Sequence, residues 1–181
     1  MDDIPRALDA LARNSGHLRN EQFFTQMAGA DNLLMKAGVA LELGDSAKAD
    51  RLITRAAAMP YDDREMRFPG VQAADSVVYA VILNAVEAAD EDDSAWLDAA
   101  LAAHEEATGP GKQQLACVLN GFVRQAGIVD LTPREKARIR AVARDAPLDV
   151  DHVDPDSTVG ERADVIRSIL IALGAYERHR R

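Results

Sequence analysis

The sequence predicts an all-α domain, and three observations carry that reading. Alanine supplies 33 of the 181 residues while aromatic residues make up only 4%, a composition suited to helices that cross closely through small side chains. Apolar residues recur at intervals of three and four along most of the chain, bracketed by helix start and stop residues. No stretch alternates apolar and polar residues between hairpin turns, and short β-branched runs such as Val77-Val78 are embedded in alanine-rich helical patterns. The length suits one domain with a single core. Residues 1–177 are expected to form it, with the basic end Arg178-His179-Arg180-Arg181 frayed.

The elements follow in order. Residues 4–14 form a first short helix with Ile4, Leu8 and Leu11 on one face, stopped by Ser15-Gly16. Residues 21–43 carry Phe23, Met27, Ala30, Leu34, Ala37 and Leu41 in a stripe that keeps its phase across Gly29, so one long helix is predicted. Gly44-Asp45 closes it, glycine taking the left-handed position past the helix end. A third helix covers 46–59 and ends at Pro60, and Pro60 to Gly70 reads as an internal linker. The helix over 71–89 is apolar nearly all round, which predicts a central position. Acidic residues 90–93 precede a helix over 94–107, and Gly109-Pro110-Gly111 breaks the chain before the next, over 112–126. Thr132-Pro133-Arg134-Glu135 and Thr158-Val159-Gly160-Glu161 are capping boxes that open the last two helices.

About eight helices result, six of them as three consecutive hairpins that begin near Asp31, Val71 and Lys112, roughly 40 residues apart, which approaches the period of α-solenoid arrays. The predicted architecture is therefore a small repeat-like stack with capping helices at its ends. Residues 31–60 supply a more specific pattern: Leu33 and Ala37, the turn Gly44-Asp45, then Ala49, Ile53 and Ala56, and Pro60. This segment resembles one tetratricopeptide repeat, with Lys36 and Ala40 departing from the usual residues. The resemblance implies protein or peptide binding in a concave groove, and it puts Asp31, Leu34, Gly38 and Leu41 on the groove side.

Composition and motifs exclude several chemistries. The formal charge of −9 and a pI near 4.9 argue against dedicated binding of nucleic acid or anionic membranes. Leu131 to Glu135 resembles the opening of LuxR-type helix-turn-helix domains. The following segment, with Asp149, Asp151, Asp154 and Asp156, would repel a DNA backbone, so no nucleic-acid partner is expected. The longest apolar run, residues 77–86, is half of what a membrane span needs. No basic and apolar leader is visible, and a lone Cys117 forms no disulfide or metal pattern, so a cytoplasmic protein is expected. The acidic segment 149–156, with His152, is the best metal candidate, yet it lacks the ligand and glycine positions of an EF-hand and reads as a solvated loop. His104-Glu105-Glu106 lacks the second histidine of a zinc-protease helix, and neither a nucleophile elbow nor a phosphate loop occurs.

No catalytic constellation or cofactor site emerges, so an enzyme is not expected. The predicted function is interaction with another protein or peptide, self-association included. Tyr61, Arg64, Arg67 and Phe68 in the linker are the candidate partner-binding residues, because aromatic and arginine side chains dominate interface hot spots. The alternative is a helical bundle that binds a small ligand beside the helix over 71–89, where Tyr79 and Asn84 are polar residues in an apolar setting.

Overall fold

A computed structural model describes residues 21–90, 93–125 and 127–181. Seven helices make up this part of the chain: α1 (Glu21–Glu42), α2 (Ser46–Ala57), α3 (Pro69–Ala88), α4 (Ala95–Glu106), α5 (Gly109–Arg124), α6 (Pro133–Ala143) and α7 (Val159–Arg180). Among the described residues the only β pairing is a single antiparallel bridge between Asp62 and Arg67. The all-helical class is as the sequence predicts. The helix expected over 4–14 lies outside the described residues.

Local chemistry explains most boundaries. Gly44, at φ 75°, ends α1 in the left-handed conformation. Its N–H donates to Leu41 O (3.1 Å) and that of Asp45 to Ala40 O (2.9 Å), which together form a Schellman motif. The Asp45 carboxylate then caps α2 by accepting from the Lys48 N–H at 3.0 Å. Both predicted capping boxes are formed, Thr132 with Glu135 and Thr158 with Glu161. Two helices start earlier than the sequence predicts. Pro69 and Pro110 stand in the first turns of α3 and α5 rather than in the preceding breaks, because a missing N–H costs nothing where the first four donors have no intrahelical partner. The last helix also continues past the expected frayed tail, through Arg180. Arg178 Nη2 and His179 Nε2 reach the two carboxylate oxygens of Glu106 at 2.6 and 3.0 Å, and basic residues suit the negative end of a helix.

Packing departs from the predicted centre. α7 lies against α1, α2, α3, α4 and α5 together, and Tyr176, Ile166 and Ile169 on it are fully buried. α5 is enclosed on every side, every residue from Gln114 to Phe122 being buried. α3 is central only along its first half: Val71 to Val78 contribute five buried residues, whereas Asn84, Glu87 and Ala88 are exposed. α3 is the one helix among the described residues long and apolar enough to cross a membrane by composition, and its buried half is part of the protein core. α1 and α2 form a tight antiparallel pair, with Ala37, Ala49, Ile53 and Ala56 buried at their contact. α7 closes this pair against the later helices rather than leaving contacts only between successive hairpins.

Two close crossings hold α7 and α3 in place. The Gly111 N–H in the first turn of α5 donates to Ser168 Oγ of α7 at 2.9 Å, and that hydroxyl reaches Thr108 O at 3.3 Å. α7 therefore supplies the oxygen that caps α5. A Cβ at Gly111 would lie 2.3 Å from the backbone oxygen of Ser168, and one at Gly70 would lie 2.1 Å from that of Ala56. Gly111→Ala should therefore cost about 2–4 kcal/mol in urea unfolding, because backbone rather than a flexible side chain must move. Gly29→Ala, whose added Cβ meets nothing within 4 Å, should stabilise by about 0.5–1 kcal/mol. Equal, small effects at both positions would contradict the crossing.

Candidate functional site

Two regions merit inspection: the loops where the sequence puts its candidate partner and metal residues, and a groove on the opposite, helical side of α3. The first loop, residues 58–68, is folded rather than open. Asp62 Oδ1 accepts from the N–H groups of Arg64 and Glu65, both at 2.9 Å, and the bridge between Asp62 and Arg67 closes the turn, with Met66 at φ 52°. Phe68 is 5% exposed. Tyr61 packs on it edge-to-face at 5.0 Å, and the Arg162 guanidinium of α7 sits 4.1 Å above the centre of its ring. Of the four residues expected to face a partner, Phe68 is thus in the core, Tyr61 is half-buried against it and Arg67 is engaged with the second loop. Arg64 is exposed.

The second loop, residues 144–158, covers α5. Arg67 forms a forked ion pair with the Asp149 carboxylate, and its Nη1 donates to Gln72 Oε1 at 2.6 Å. Asn120 Nδ2 donates to Ala146 O, and Cys117 Sγ to Leu148 O at 3.0 Å. The His152 side chain is fully enclosed, its Nε2 3.2 Å from Asp75 Oδ1 and 3.3 Å from Gln114 Oε1. Among the described residues its Nδ1 has no hydrogen-bond partner. The cavity beside it, lined by Gln72, Asp75 and Val150 among others, has a volume of about 30 Å³, the room of one or two waters.

The chemistry available there is limited. Burial pushes the Cys117 thiol up to about 11, with Asp149 and Asp75 adding to the shift, so it is a protonated donor rather than a nucleophile. Burial also raises the Asp75 carboxyl, opposed by the hydrogen bond and charge of His152. No group of three metal-ligating side chains occurs among the described residues. The aspartates of 149–156 are dispersed: Asp149 pairs with Arg67, and Asp154 Oδ1 accepts from the Asp156 N–H at 2.9 Å. Tyr79 is half-buried with its ring 5.7 Å from that of Phe122, while Asn84 is exposed.

The groove lies between α1, α3 and α7. Leu34 and Leu170 are buried at its floor with Val77, and Met35 and Val39 of α1 face Ile171 of α7 across it. It encloses about 440 Å³. Its walls are unusually exposed for large apolar side chains: Met35 55%, Val39 55% and Ile171 54%, with Leu43 at 80% one turn beyond Val39. Met35, Val39 and Leu43 form a stripe at i, i+4 and i+8. This second stripe adjoins the Leu34, Ala37, Leu41 stripe and makes an apolar arc wider than α2 and α3 cover, a signal present in the sequence beside the stripe read there. At one end, Arg181 Nη2 is 3.4 Å from Glu42 Oε1.

One turn upstream on α1, burial raises the Asp31 carboxyl to about 6, and among the described residues its Oδ1 has no hydrogen-bond partner. A carboxyl whose folded pKa is raised holds its proton more tightly when folded. Its penalty is therefore absent below about pH 4 and grows as pH rises to about 6. Asp31→Asn should stabilise the fold by about 1 kcal/mol at pH 7, allowing for the solvent that reaches this half-buried group, and by nothing at pH 4. Urea titrations at the two pH values measure this. A gain independent of pH would show that the carboxyl is not destabilised by burial.

No family model, curated protein or solved structure matches this chain, and the candidate site therefore stands on its own geometry.

Proposed function

We propose that this protein is an interaction module whose α1/α3/α7 groove takes an amphipathic helix from a protein partner. One observation carries the reading: three large apolar side chains, Met35, Val39 and Ile171, stand 54–55% exposed around an apolar-floored groove. Contiguous exposed apolar surface mostly marks a site of association. The i, i+4 spacing of Met35 and Val39 along the wall suits a helix laid beside α1, the mode in which i, i+3, i+4 and i+7 anchors enter a helical groove. The resemblance of residues 31–60 to a tetratricopeptide repeat supports the same face, since Leu34, Gly38 and Leu41 line the groove. Within this reading the α1–α2 hairpin is the repeat-like unit, and α7 supplies the opposite wall.

The rival reading, a small ligand beside α3, draws on His152 with its unpartnered Nδ1 and on Asp75. The cavity against α3 itself holds only about 30 Å³, whereas metabolite pockets run to ~300 Å³ or more; the larger hollow bordering His152, about 630 Å³, lies between the two loops and is lined by no residue of α3.

A library of amphipathic helical peptides selected against the protein tests the proposal. Methyl resonances of Met35, Val39 and Ile171 should shift on titration with a selected peptide. The double variant Val39→Asp, Ile171→Asp should weaken binding by at least about tenfold, about 1.4 kcal/mol, while changing stability by less than about 0.5 kcal/mol each, as exposed positions do. Selected peptides that shift the resonances of residues 61–68 or 149–155 instead would overturn the groove assignment.

A further inference from the structure

We propose a second site, in the hollow between the two loops, for a primary ammonium on a slender aliphatic stem that carries a further positive charge. The site is separate from the α1/α3/α7 groove and does not depend on how that groove is read. The cavity of about 30 Å³ against α3 and the hollow of about 630 Å³ share Tyr61, Met66, Arg67, Asp151, His152 and Val153 as walls. The cavity is therefore the inner end of the hollow, and the ligand is identified by what each part offers.

The inner end offers two acceptors. The His152 side chain is 0% exposed and that of Asp75 13%. His152 Nε2 lies between two oxygens, Asp75 Oδ1 at 3.2 Å and Gln114 Oε1 at 3.3 Å. The Gln114 amide nitrogen donates to Asp75 O at 3.4 Å, which leaves its oxygen for the ring. Nε2 therefore carries the proton, and in the neutral ring Nδ1 presents a lone pair. Among the described residues that Nδ1 and Asp75 Oδ1 each lack a hydrogen-bond partner. Buried polar atoms are nearly always satisfied, and both of these call for a donor. Beside a carboxylate a positively charged donor forms the stronger bond. Burial raises the Asp75 carboxyl, and a cation next to it offsets that penalty.

Size selects among cationic donors. About 30 Å³ is the room of one or two waters, which an ammonium head fills and for which a planar guanidinium fork is too wide. A quaternary ammonium has no N–H to give. A divalent cation needs about six oxygen ligands, and no group of three metal-ligating side chains occurs among the described residues. The outer hollow takes the stem and the second charge. Tyr61, Met66 and Val153 are its apolar wall, and Glu65, Asp151 and Asp154 bring carboxylates. Arg67 also lines it, with its charge matched by Asp149. A free linear polyamine meets this chemistry, and so does a lysine side chain beside another cation in a peptide.

Calorimetric titration of the full chain with spermidine at fixed ionic strength tests the site. Binding should saturate, and the ring nitrogen resonances of His152 should shift as it does. Asp75→Asn keeps the shape and removes the charge, and it should weaken spermidine at least about tenfold. Because Asp75 is buried, a second variant reads the outer hollow without touching the core. Glu65→Gln with Asp151→Asn, at a half-buried and an exposed position, should weaken spermidine about threefold and leave the monoamine butylamine unchanged. Val39→Asp with Ile171→Asp should bind spermidine as the wild-type chain does, which keeps this site distinct from the groove.

A trilysine peptide in the same titration separates the two sources. Tighter binding of spermidine assigns a free polyamine and tighter binding of the peptide a protein lysine, and either one with His152 shifts sustains the site. Saturable binding of neither probe would overturn it. Spermidine binding no tighter than that of Mg²⁺ would also overturn it, since the carboxylates would then only collect counter-ions. Wild-type spermidine affinity in Asp75→Asn would do the same. Should that variant fail to fold, wild-type affinity in Glu65→Gln with Asp151→Asn would sink the proposal instead.

Discussion

The folded arrangement turns on one buried cation, Arg162. Its residue is 7% exposed, and its hydrogen bonds go to neutral oxygens: Nε to Ala57 O at 2.8 Å, and Nη1 to the carbonyl and hydroxyl of Ser157. Its planar face covers the Phe68 ring at 4.1 Å. Ala57 is the last residue of α2, Phe68 the N-cap of α3, and Ser157 immediately precedes the N-cap of α7. One guanidinium therefore holds together the ends of three helices. Burial lowers its pKa, but a guanidinium keeps its charge. The negative end of α2 and the π face of Phe68 supply the compensation that a carboxylate would otherwise provide. Each charge-assisted bond contributes about 1.5–3 kcal/mol.

From this node the rest of the layout follows. Fixing Phe68 fixes the folded turn 61–67, and that turn aims Arg67 at Asp149. Asp149 in turn lays residues 144–157 across α5, where their carbonyl groups satisfy Asn120 and Cys117. The two loops thus form a cross-tied belt at one end of the molecule, held by Arg67 with Asp149, Asn120 with Ala146 and Cys117 with Leu148. Among the described residues, nothing comparable closes the side between α1 and α7. Their contact is slight beside that of α4 with α7, and the apolar walls there stay exposed.

How far the sequence revealed this depends on the range of the interaction. Contacts within four residues were legible, both capping boxes and the Gly44-Asp45 stop among them, and so was the Ala37, Ala49, Ala56 crossing of the α1–α2 hairpin, which a short turn brings together. The misjudged centre has a specific cause. Gln114, Cys117 and Asn120 give α5 a polar side, which reads as solvent-facing, and only the loop folded across it some 26–38 residues away makes that side buried. The aromatic linker shows the reverse case: Tyr61 packs on the buried Phe68 and Arg67 pairs with Asp149, contacts within the chain that composition alone does not reveal. His152 was visible only as part of an acidic run, since its enclosure by Asp75 and Gln114 depends on α3 and α5 together. The groove itself was half legible, in the extra apolar stripe of Met35, Val39 and Leu43.

The central claim is that Arg162 organises the belt while the groove face stands apart from it. Amide hydrogen exchange on Arg162→Met tests this most directly, because methionine keeps the side-chain volume and removes the bonds to Ala57 and Ser157. The account predicts that amides of residues 58–68 and 144–157 exchange at least about tenfold faster, a loss of about 1.4 kcal/mol of local protection. Those of residues 33–42 along the groove should be unchanged. Unchanged loops, or equal loss of protection in the groove helix and the belt, would contradict it.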